Sequence, residues 1–529
     1  MSIELSFDVH NPSGWTGNLA LVEQNIQAAA NLWGKVFVGS AKFSVTLNLV
    51  TSTQFLASCG PSDFILAGQS NGTNLWASST QYSLFTNSNK TDGLAADLVI
   101  NIATNYIQDG TVILSTNPAV RSQAAIGSNH IDFISIAEHE LGHAFGIFGW
   151  RDQSTGQLTG KDQSLFDSHL KMGTSGLIYT GENVTAVYGA SLPLAMGDIY
   201  HIGSYTNTSD PLNADLMNPF AHWGTVDSIS RLDAAIMADL GYATIYDDIL
   251  RLAPGVTSIN AGAGNDRIYS AGTNDTIDGG AGIDRVIYSG LAREYALSVS
   301  KTGISVNDAA GHNGRDSLTN VEYIVFNDMT LDTSWFTKTM QLDAPKIAAL
   351  VELYIATFNR APDAVGLNYW GGRLKDGMML EDIAKSFFDQ PESQSAYPTQ
   401  LSDAAFIAKV YQNALGRTPD AAGLKYWTQE LQTSHVSRGC FVMALINGAN
   451  APTGNSADAL YLQNKQKVGA HFALENGLND LPAAKSVLDG VSITSASVTS
   501  SLALADSYLN LASQPASSQF VVQLIGLPL

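Results

Sequence analysis

The sequence predicts a multidomain protein in three parts: an α+β domain over residues 1–245, a parallel β-roll with adjoining strands over residues 246–340, and an all-helical domain over residues 341–529. Three observations predict this division. Strand-like alternation precedes an H-E-x-x-H segment with helical periodicity in the first part. A nonapeptide repeat rich in glycine and aspartate fills part of the second, and a longer motif occurs twice between apolar helices in the third.

Strand and helix periodicities follow one another in the stretch that precedes the H-E-x-x-H segment. Apolar residues alternate over 3–7, 43–49 and 98–102, which predicts strands with one buried face. Residues 19–33 repeat their apolar positions with the period of a helix. Strand, helix and strand before an H-E-x-x-H helix indicate a layered arrangement of helices on a sheet.

The H-E-x-x-H segment places His139, Glu140 and His143 in the sequence ISIAEHELGHAFG. Residues four apart share one face of a helix, so both imidazoles can face one metal ion with the carboxylate beside it. Zinc hydrolases use this arrangement, with the glutamate as general base. We expect Asp132 to cap the helix and Gly146 to end it. The alternative is an ordinary surface helix with two solvated histidines.

Residues 1–245 resemble the metzincin zinc endopeptidases. The resemblance lies in the H-E-x-x-H-x-x-G helix, in a Met-turn at L-M-N-P that contains Met217, and in a following helix over residues 228–240 that Ser230 caps. In that family the methionine packs beneath the metal without binding it. Compact metzincins place their third zinc ligand six residues after the second histidine, but this chain has Gly149 there, which cannot bind a metal.

Leishmanolysin-like metzincins insert a subdomain before the third histidine, which then comes shortly before the Met-turn. The stretch Y-H-I-G before L-M-N-P is similar to that arrangement, so the resemblance implies His201 as the third Zn²⁺ ligand. His222, His169 or the lack of a third histidine remain open as alternatives. The resemblance also implies a metalloendopeptidase that cleaves protein or peptide substrates, with Glu140 as the general base that activates a metal-bound water.

Three consecutive nonapeptides follow, AGAGNDRIY, SAGTNDTID and GGAGIDRVI. Glycine permits the tight turns, aspartate supplies a carboxylate, and the apolar residue after it points into a parallel β-roll. We expect Asp266 and Asp284 to share a Ca²⁺ ion and Asp275 to lie on the opposite side. Ca²⁺ binds six to eight oxygens, so one or two ions are expected. The candidate ligands are Asp266, Asp275 and Asp284, with the turn carbonyls of Gly262, Gly264, Gly280 and Gly282.

These nonapeptides resemble the calcium-binding (RTX) repeats of type I secreted proteins, and residues 313–328 are similar to the strand segment that follows them in serralysin-type proteases. Such proteins use an uncleaved C-terminal signal, which the stretch SQFVVQLIGLPL could carry, although it could equally form a buried strand. The sequence MSIELSFDVH has neither the basic nor the apolar part of a signal peptide. The resemblance implies an extracellular protein with the type I secretion apparatus as a partner.

The third part repeats the motif R-x-P-D-x-x-G-L-x-Y-W at residues 360–370 and 417–427. This motif resembles a helical domain of undefined function that many secreted and surface bacterial proteins carry. Two roles are open for Trp370 and Trp427, core packing or the binding of a cell-surface protein or polysaccharide.

The amino-acid composition also limits the classes of function that the chain can have. The net charge of -21 argues against nucleic acid as a partner, because phosphate binding needs basic patches. No apolar run is long enough to predict a membrane span, and two distant cysteines imply no disulfide framework. The alternative to an endopeptidase is a non-catalytic, calcium-binding surface, adhesion or S-layer-associated protein.

Overall fold

The computed structural model describes residues 2–70, 72–86, 96–123, 126–174, 176–195, 197–203, 209–252, 256–272, 274–309, 311, 313–514 and 519–527. The chain forms two units, the first from Met1–Ala271 with Thr276–Val286 and the second from Gly272–Asp275 with Ile287–Leu529. Within the described ranges, no helix combines the length and the apolar character that crossing a bilayer requires. The three domains expected from the sequence, with boundaries after residues 245 and 340, remain a prediction.

The first unit is mixed in secondary structure. Its strands are β1 Ser2–His10, β2 Ser40–Val50, β3 Ala57–Pro61, β4 Phe64–Ser70, β5 Thr73–Ser78, β6 Leu98–Ala103, β7 Val112–Ile113, β8 Ile131–Asp132, β9 Asp162–Ser164, β10 Leu170–Gly173, β11 Gly176–Tyr179, β12 Leu192–Pro193, β13 Ile249–Arg251, β14 Ser258–Asn260, β15 Arg267–Tyr269, β16 Thr276–Asp278 and β17 Arg285–Ile287, whose last residue belongs to the second unit. Its helices are α1 Leu19–Val36, α2 Ser79–Thr86, α3 Thr104–Gln108, α4 Phe133–Ala144, α5 Leu165–Ser168, α6 Glu182–Tyr188, α7 Arg231–Asp239 and the 3₁₀ helix Pro211–Ala214.

A four-stranded sheet in the order β1-β2-β6-β3 supports the first unit. Strands β1, β2 and β6 run parallel, and β3 pairs with β6 in the antiparallel direction at the edge. On β2 the apolar side chains alternate and are buried, which fits a strand packed on one face. The alternation that the sequence displays at all three stretches is therefore confirmed as strand structure.

Helix α4, which carries the H-E-x-x-H segment, is held at its start and along its length. Asp132 caps it by accepting a hydrogen bond from the backbone N–H of Ser135 at 3.0 Å. The indole Nε1 of Trp33 on α1 donates to the carbonyl of Glu138 at 2.9 Å. The helix ends at Ala144, just before Gly146, whose φ of 138° favours glycine.

The nonapeptide repeats form parallel strands in which each coil of the roll takes two nonapeptides. Strand β13 pairs with β15 in the register Ile249↔Arg267, and β14 pairs with β16 in the register Ser258↔Thr276. The predicted inward residues Ile268, Ile277 and Val286 are fully buried. Strands β13 and β14 precede the three nonapeptides, so the parallel pairing extends further toward the N-terminus than the sequence predicted. Thr273 of the second nonapeptide lies outside the described residues.

The second unit combines a sheet with helices. Its elements are the 3₁₀ helix Ala292–Glu294, β18 Tyr295–Ser300, β19 Gly303–Asp308, β20 Arg315–Thr319, β21 Tyr323–Val325, β22 Thr330–Asp332, α8 Ser334–Thr339, α9 Ala344–Phe358, α10 Ala364–Lys375, α11 Leu380–Phe387, α12 Pro391–Ala396, α13 Asp403–Leu415, α14 Ala421–Gln432, α15 Arg438–Asn450, α16 Ser456–Ala470, a π-helical turn His471–Glu475, α17 Leu481–Asp489, α18 Ser495–Ala512 and β23 Val521–Leu524.

The C-terminal stretch contains a buried strand. Strand β23 pairs in parallel with β18, in the register Ala296↔Val521, and three of its four side chains are buried. The described residues of this stretch form the buried strand, one of the two alternatives that the sequence left open. The export signal stays a prediction. Ser518, Pro528 and Leu529 lie outside the described residues.

Candidate metal centre

The structure brings together three histidines from two parts of the chain. His139 and His143 lie one turn apart on α4, and His201 comes from the segment before the Met-turn. The Nε2 atom of His201 lies 3.0 Å from that of His139 and 3.1 Å from that of His143. The Nε2 atoms of His139 and His143 lie 3.2 Å apart. Among the described residues, this is the group of histidine, cysteine and acidic side chains that is close enough to hold a metal ion.

The opposite ring nitrogen of each histidine meets an oxygen acceptor. Nδ1 of His139 lies 2.7 Å from the carbonyl of Leu216, and Nδ1 of His143 lies 2.7 Å from that of Ile147. Nδ1 of His201 lies 2.9 Å from a carboxylate oxygen of Asp198. The carbonyl acceptors at Nδ1 of His139 and His143 favour the tautomer with the proton on that nitrogen, which leaves a lone pair on Nε2 of both rings.

Unprotonated Nε2 atoms as close together as these repel one another unless a cation lies between them. Burial lowers the pKa of His139 well below its usual value, and lowers that of His143 to about 4, so both rings are neutral near pH 7. The nearby His143 and His201 lower the pKa of His139 further, and His201 does the same to the pKa of His143. Neutral imidazoles are the form that binds metal ions. The arrangement is therefore suited to a metal ion, although the assignment of all three as ligands stays a prediction.

Glu140 lies beside the histidines and touches the edge strand of the sheet. Its Oε2 accepts a hydrogen bond from the backbone N–H of Cys59 on β3 at 3.0 Å. Burial raises the pKa of Glu140 to about 8, and the hydrogen bond from Cys59 partly opposes this. A buried carboxylate with a raised pKa is a stronger base than an exposed one, so it can accept a proton from a neighbouring group.

Met217 packs against helix α4 at Gly142. It is fully buried, and a Cβ built on Gly142 would lie 2.6 Å from its Sδ. The glycine within H-E-L-G-H therefore permits close approach of the methionine. Gly149 also has a packing role, because a Cβ there would lie 2.3 Å from the carboxylate oxygens of Asp167.

The metal centre opens into a cleft of about 530 Å³. Strand β3 lies along one wall, and the segment after the Met-turn forms another. The cleft is lined by residues 54–59, Ile131, Ser135, Ile136, His139, Glu140, His143, Asp198, His201, Leu216, residues 218–222 and Asp227. It mixes apolar and polar side chains, as clefts that bind peptides or small molecules do.

The two alternative histidines have other partners. Nε2 of His169 lies 3.0 Å from the carbonyl of Asp239. Nδ1 of His222 lies 3.0 Å from a carboxylate oxygen of Asp227 and its Nε2 lies 2.6 Å from the carbonyl of Asn213, although the residue lines the same cleft. Hydrogen bonding to Asp227 raises the pKa of His222, which favours the protonated ring. Both ring nitrogens of His222 thus already have oxygen partners within the protein.

Sequence reasoning missed the groups that orient the site. Asp198 has no motif of its own, and its only signal is its position three residues before His201. Arg121 was also missed. It bonds to Asp132 and Ser135 at 2.7 Å and forms an ion pair with the buried Glu138, which ties the loop before α4 to that helix. These partners follow from loop paths that no local pattern specifies.

The aspartates of the roll form ladders along the coils. The N–H of Asp266 donates to Oδ1 of Asp284 at 2.9 Å, and the N–H of Asp275 donates to Oδ1 of Asp316 at 2.9 Å. Burial raises the pKa of Asp266 to about 8, and neighbouring carboxylates add to this. The predicted ligand glycines stack in the same way, because a Cβ on Gly282 would collide with the carbonyl of Gly264.

Comparison with known families supports the calcium repeats. Residues 254–286 match a family model described as the RTX calcium-binding nonapeptide repeat (4 copies), and residues 384–451 match a domain of unknown function, DUF4214. No curated protein matches the chain. RTX repeats indicate a calcium-binding protein that a type I system secretes, as the sequence predicted. Neither matched segment includes the histidine centre.

Proposed function

We propose that the chain is a secreted zinc-dependent endopeptidase of the metzincin type. The observation that carries this proposal is the convergence of three Nε2 atoms within 3.2 Å, on rings whose Nδ1 atoms lie 2.7–2.9 Å from oxygen atoms of the protein. Glu140 stands beside them in the sequence position that zinc hydrolases use for their general base.

The donor set fits Zn²⁺. Tetrahedral zinc with bonds of roughly 2.0–2.1 Å holds its nitrogen ligands about 3.3 Å apart, close to the separations between these histidines. Three neutral imidazoles leave one position for water or substrate, which is the pattern of catalytic sites. His139, His143 and His201 would hold the ion, and Asp198 would orient His201 from behind.

When bound, Zn²⁺ supplies a Lewis acid that polarises a carbonyl group and lowers the pKa of water. The chain supplies the proton transfer. Glu140 takes a proton from the attacking water and returns it to the leaving amine, so one carboxylate acts first as base and then as acid. Its burial beside Cys59 keeps the carboxylate away from bulk water and holds its orientation.

Strand β3 offers a template for an extended peptide. In the register of β3 with β6, the backbone N–H and C=O groups of Ser58 and Gly60 pair with β6. The backbone groups of Ala57 and Cys59 therefore face away from the sheet. Cys59 already donates to Glu140 on that side. A substrate that adds a strand to this edge would bring its peptide bonds past the histidines.

Replacement of Glu140 tests the mechanism. Glu140→Gln keeps the size and hydrogen-bonding capacity of the side chain, so we expect full zinc content and a loss of about 10²–10⁴-fold in cleavage of unfolded casein. Glu138→Gln is the matched control, because Glu138 faces Arg121 and does not line the cleft. Undiminished cleavage by Glu140→Gln would remove Glu140 from the mechanism.

A second candidate is a non-catalytic surface or adhesion protein. The observation that favours it is that both family matches lie in the roll and the helical region. The same experiment separates the two functions, because a protein of this second kind would contain no zinc and cleave no casein.

A further inference from the structure

Partly exposed aromatic side chains cluster just beyond the carboxyl end of α4. The ring centroid of Phe64 on β4 lies 5.3 Å from that of Phe148 and 5.0 Å from that of Trp150. The centroids of Phe148 and Trp150 lie 5.8 Å apart. Leu66, two residues after Phe64, is 51% exposed, and these four residues are here called the aromatic patch. Neighbouring apolar side chains that water can reach indicate a surface that binds a partner or a ligand.

Hydrogen bonds fix the backbone that carries the aromatic patch. The N–H of Trp150 donates to Oδ2 of the fully buried Asp167 at 2.9 Å. The carbonyl of Phe148 accepts from the hydroxyl of Ser164 on β9 at 2.5 Å. Strand β9 pairs with β5, and β5 pairs with β4, which carries Phe64. The patch is therefore preformed, as binding sites for side chains usually are.

The aromatic patch continues two walls of the cleft. Phe64 follows the end of β3, and Phe148 follows the end of α4. Cys59 on β3 bonds to Glu140 on α4, and Phe64 contacts Phe148 further along both segments. Strand β3 and helix α4 therefore run side by side in one direction, and the patch lies beyond the carboxyl ends of both.

An extended peptide on the free edge of β3 would meet the aromatic patch with its N-terminal part. Antiparallel pairing, the more stable of the two arrangements, places the amino end of the peptide beside the carboxyl end of β3. Phe64 follows Cys59, the neighbour of Glu140, by five residues, and such a length of extended chain spans roughly 17 Å. A peptide side chain about five positions before the cleaved bond therefore lies at the patch.

We propose that the aromatic patch is a subsite for a large apolar side chain of the substrate, about five positions before the cleaved bond. This inference rests on the proposed peptidase function and adds a substrate preference to it. The three rings are inclined to one another by 54°, 69° and 75°, so they form no single flat surface. Rings at such angles can enclose a phenylalanine or leucine side chain, whereas a sugar ring stacks on a flat aromatic face.

Cleavage-site mapping on the full chain tests the subsite. The native protein is incubated with a peptide digest of whole-cell protein, and mass spectrometry identifies the products. We expect large apolar residues to be enriched about 5–10-fold roughly five positions before the cut, because the patch buries part of such a side chain. The double variant Leu66→Ser, Trp150→Ala should lose this enrichment and keep the preferences at the other positions.

Met172→Ser on β10 is the matched control, because Met172 is 58% exposed and lies outside the patch, and this variant should keep the enrichment. A native profile without the enrichment would overturn the proposal. An enrichment that the double variant keeps would also overturn it.

Peptide binding gives a second readout that does not depend on cleavage. The probes are two short fluorescein-labelled peptides of alanine and glycine, one with a single phenylalanine and one with serine in its place. In Glu140→Gln, fluorescence anisotropy should show binding of the phenylalanine peptide about 5–10-fold tighter than that of the serine peptide. Adding Leu66→Ser and Trp150→Ala should remove this difference.

Equal affinity of Glu140→Gln for the two peptides would overturn the subsite. A phenylalanine preference in binding, together with native protein that cleaves no peptide, would contradict the proposed peptidase and leave the patch as an apolar peptide site. The two failures are therefore distinguishable.

Discussion

At the scale of single residues, glycine decides how closely the Met-turn approaches the H-E-x-x-H helix. Gly142 faces Met217 across a gap that a methyl group would close, and Met217 is fully buried. Because the surrounding core is packed, the methionine has little freedom to withdraw.

Gly142→Ala should destabilise the protein by about 1–3 kcal/mol through overpacking, despite the better helix propensity of alanine. Gly448→Ala on α15 is the matched control. Nothing lies within 4 Å of a Cβ there, so alanine should stabilise by roughly 0.5–1 kcal/mol. Thermal unfolding of both variants measures the difference, and equal shifts in the two melting temperatures would contradict this account of Gly142.

Residue patterns predicted the helical half of the site better than the rest. The spacing of His139, Glu140 and His143 is local, because a helix alone places them on adjacent positions of one face. The path of a long intervening segment brings Nε2 of His201 to 3.0 Å from Nε2 of His139. No local pattern predicts such a path, so His201 could be predicted only from the family resemblance. The carbonyls of Leu216 and Ile147 that face the histidine Nδ1 atoms are backbone groups, so no residue type in the sequence marks them.

At the scale of elements, the residues of the repeated helical motif form ion pairs and helix caps within the helical region. Arg360 bonds to Glu392 through two nitrogens, at 2.8 and 2.9 Å, and Arg417 bonds to Asp458 in the same way at 2.9 and 2.7 Å. The motif aspartates cap α10 and α14. Both tryptophans pack against phenylalanine rings. Trp370 meets Phe387 at a tilt and Trp427 meets Phe441 edge-on, which favours the packing role for both.

A buried acid in α9 should make the second unit sensitive to pH. Burial raises the pKa of Glu352 to about 7, while its Oε2 accepts a hydrogen bond from Asn450 at 2.9 Å. The folded state then holds a proton that the unfolded state releases, so the contribution of Glu352 to stability is present below about pH 4.5 and is lost as pH rises through 7.

Glu352→Gln removes this titration and keeps a side chain that can pair with Asn450. In urea unfolding, the free energy of unfolding of the native chain should fall relative to the variant between pH 5 and pH 8, by on the order of 3 kcal/mol at most. Parallel curves for the two proteins over this range would show that Glu352 does not titrate there.

Elements with a strong period were predictable, and elements without one were not. Alternating apolar residues specified β1, β2 and β6, and the repeat specified β15 to β17. The loop of residues 244–248 was missed because Thr244 and Tyr246 stand where the repeat has glycine. Its relation to the roll is visible only from the one-coil shift in backbone pairing and from the bond between Asp248 and Asp266.

At the scale of the whole molecule, calcium binding and folding are coupled. The roll contains buried carboxylates that repel one another without a cation, so its coils should form fully only where calcium is abundant. Such a protein stays less folded in a low-calcium compartment and folds after export, which fits type I secretion.

Metal analysis of the purified full chain tests the proposed function most directly. The account predicts one tightly bound zinc per chain, lost in His201→Ala together with casein cleavage. It predicts that His222→Ala, a control in the same cleft, keeps its zinc. Native protein without zinc, or His201→Ala with undiminished zinc, would contradict the proposal that these three histidines form a catalytic metal site.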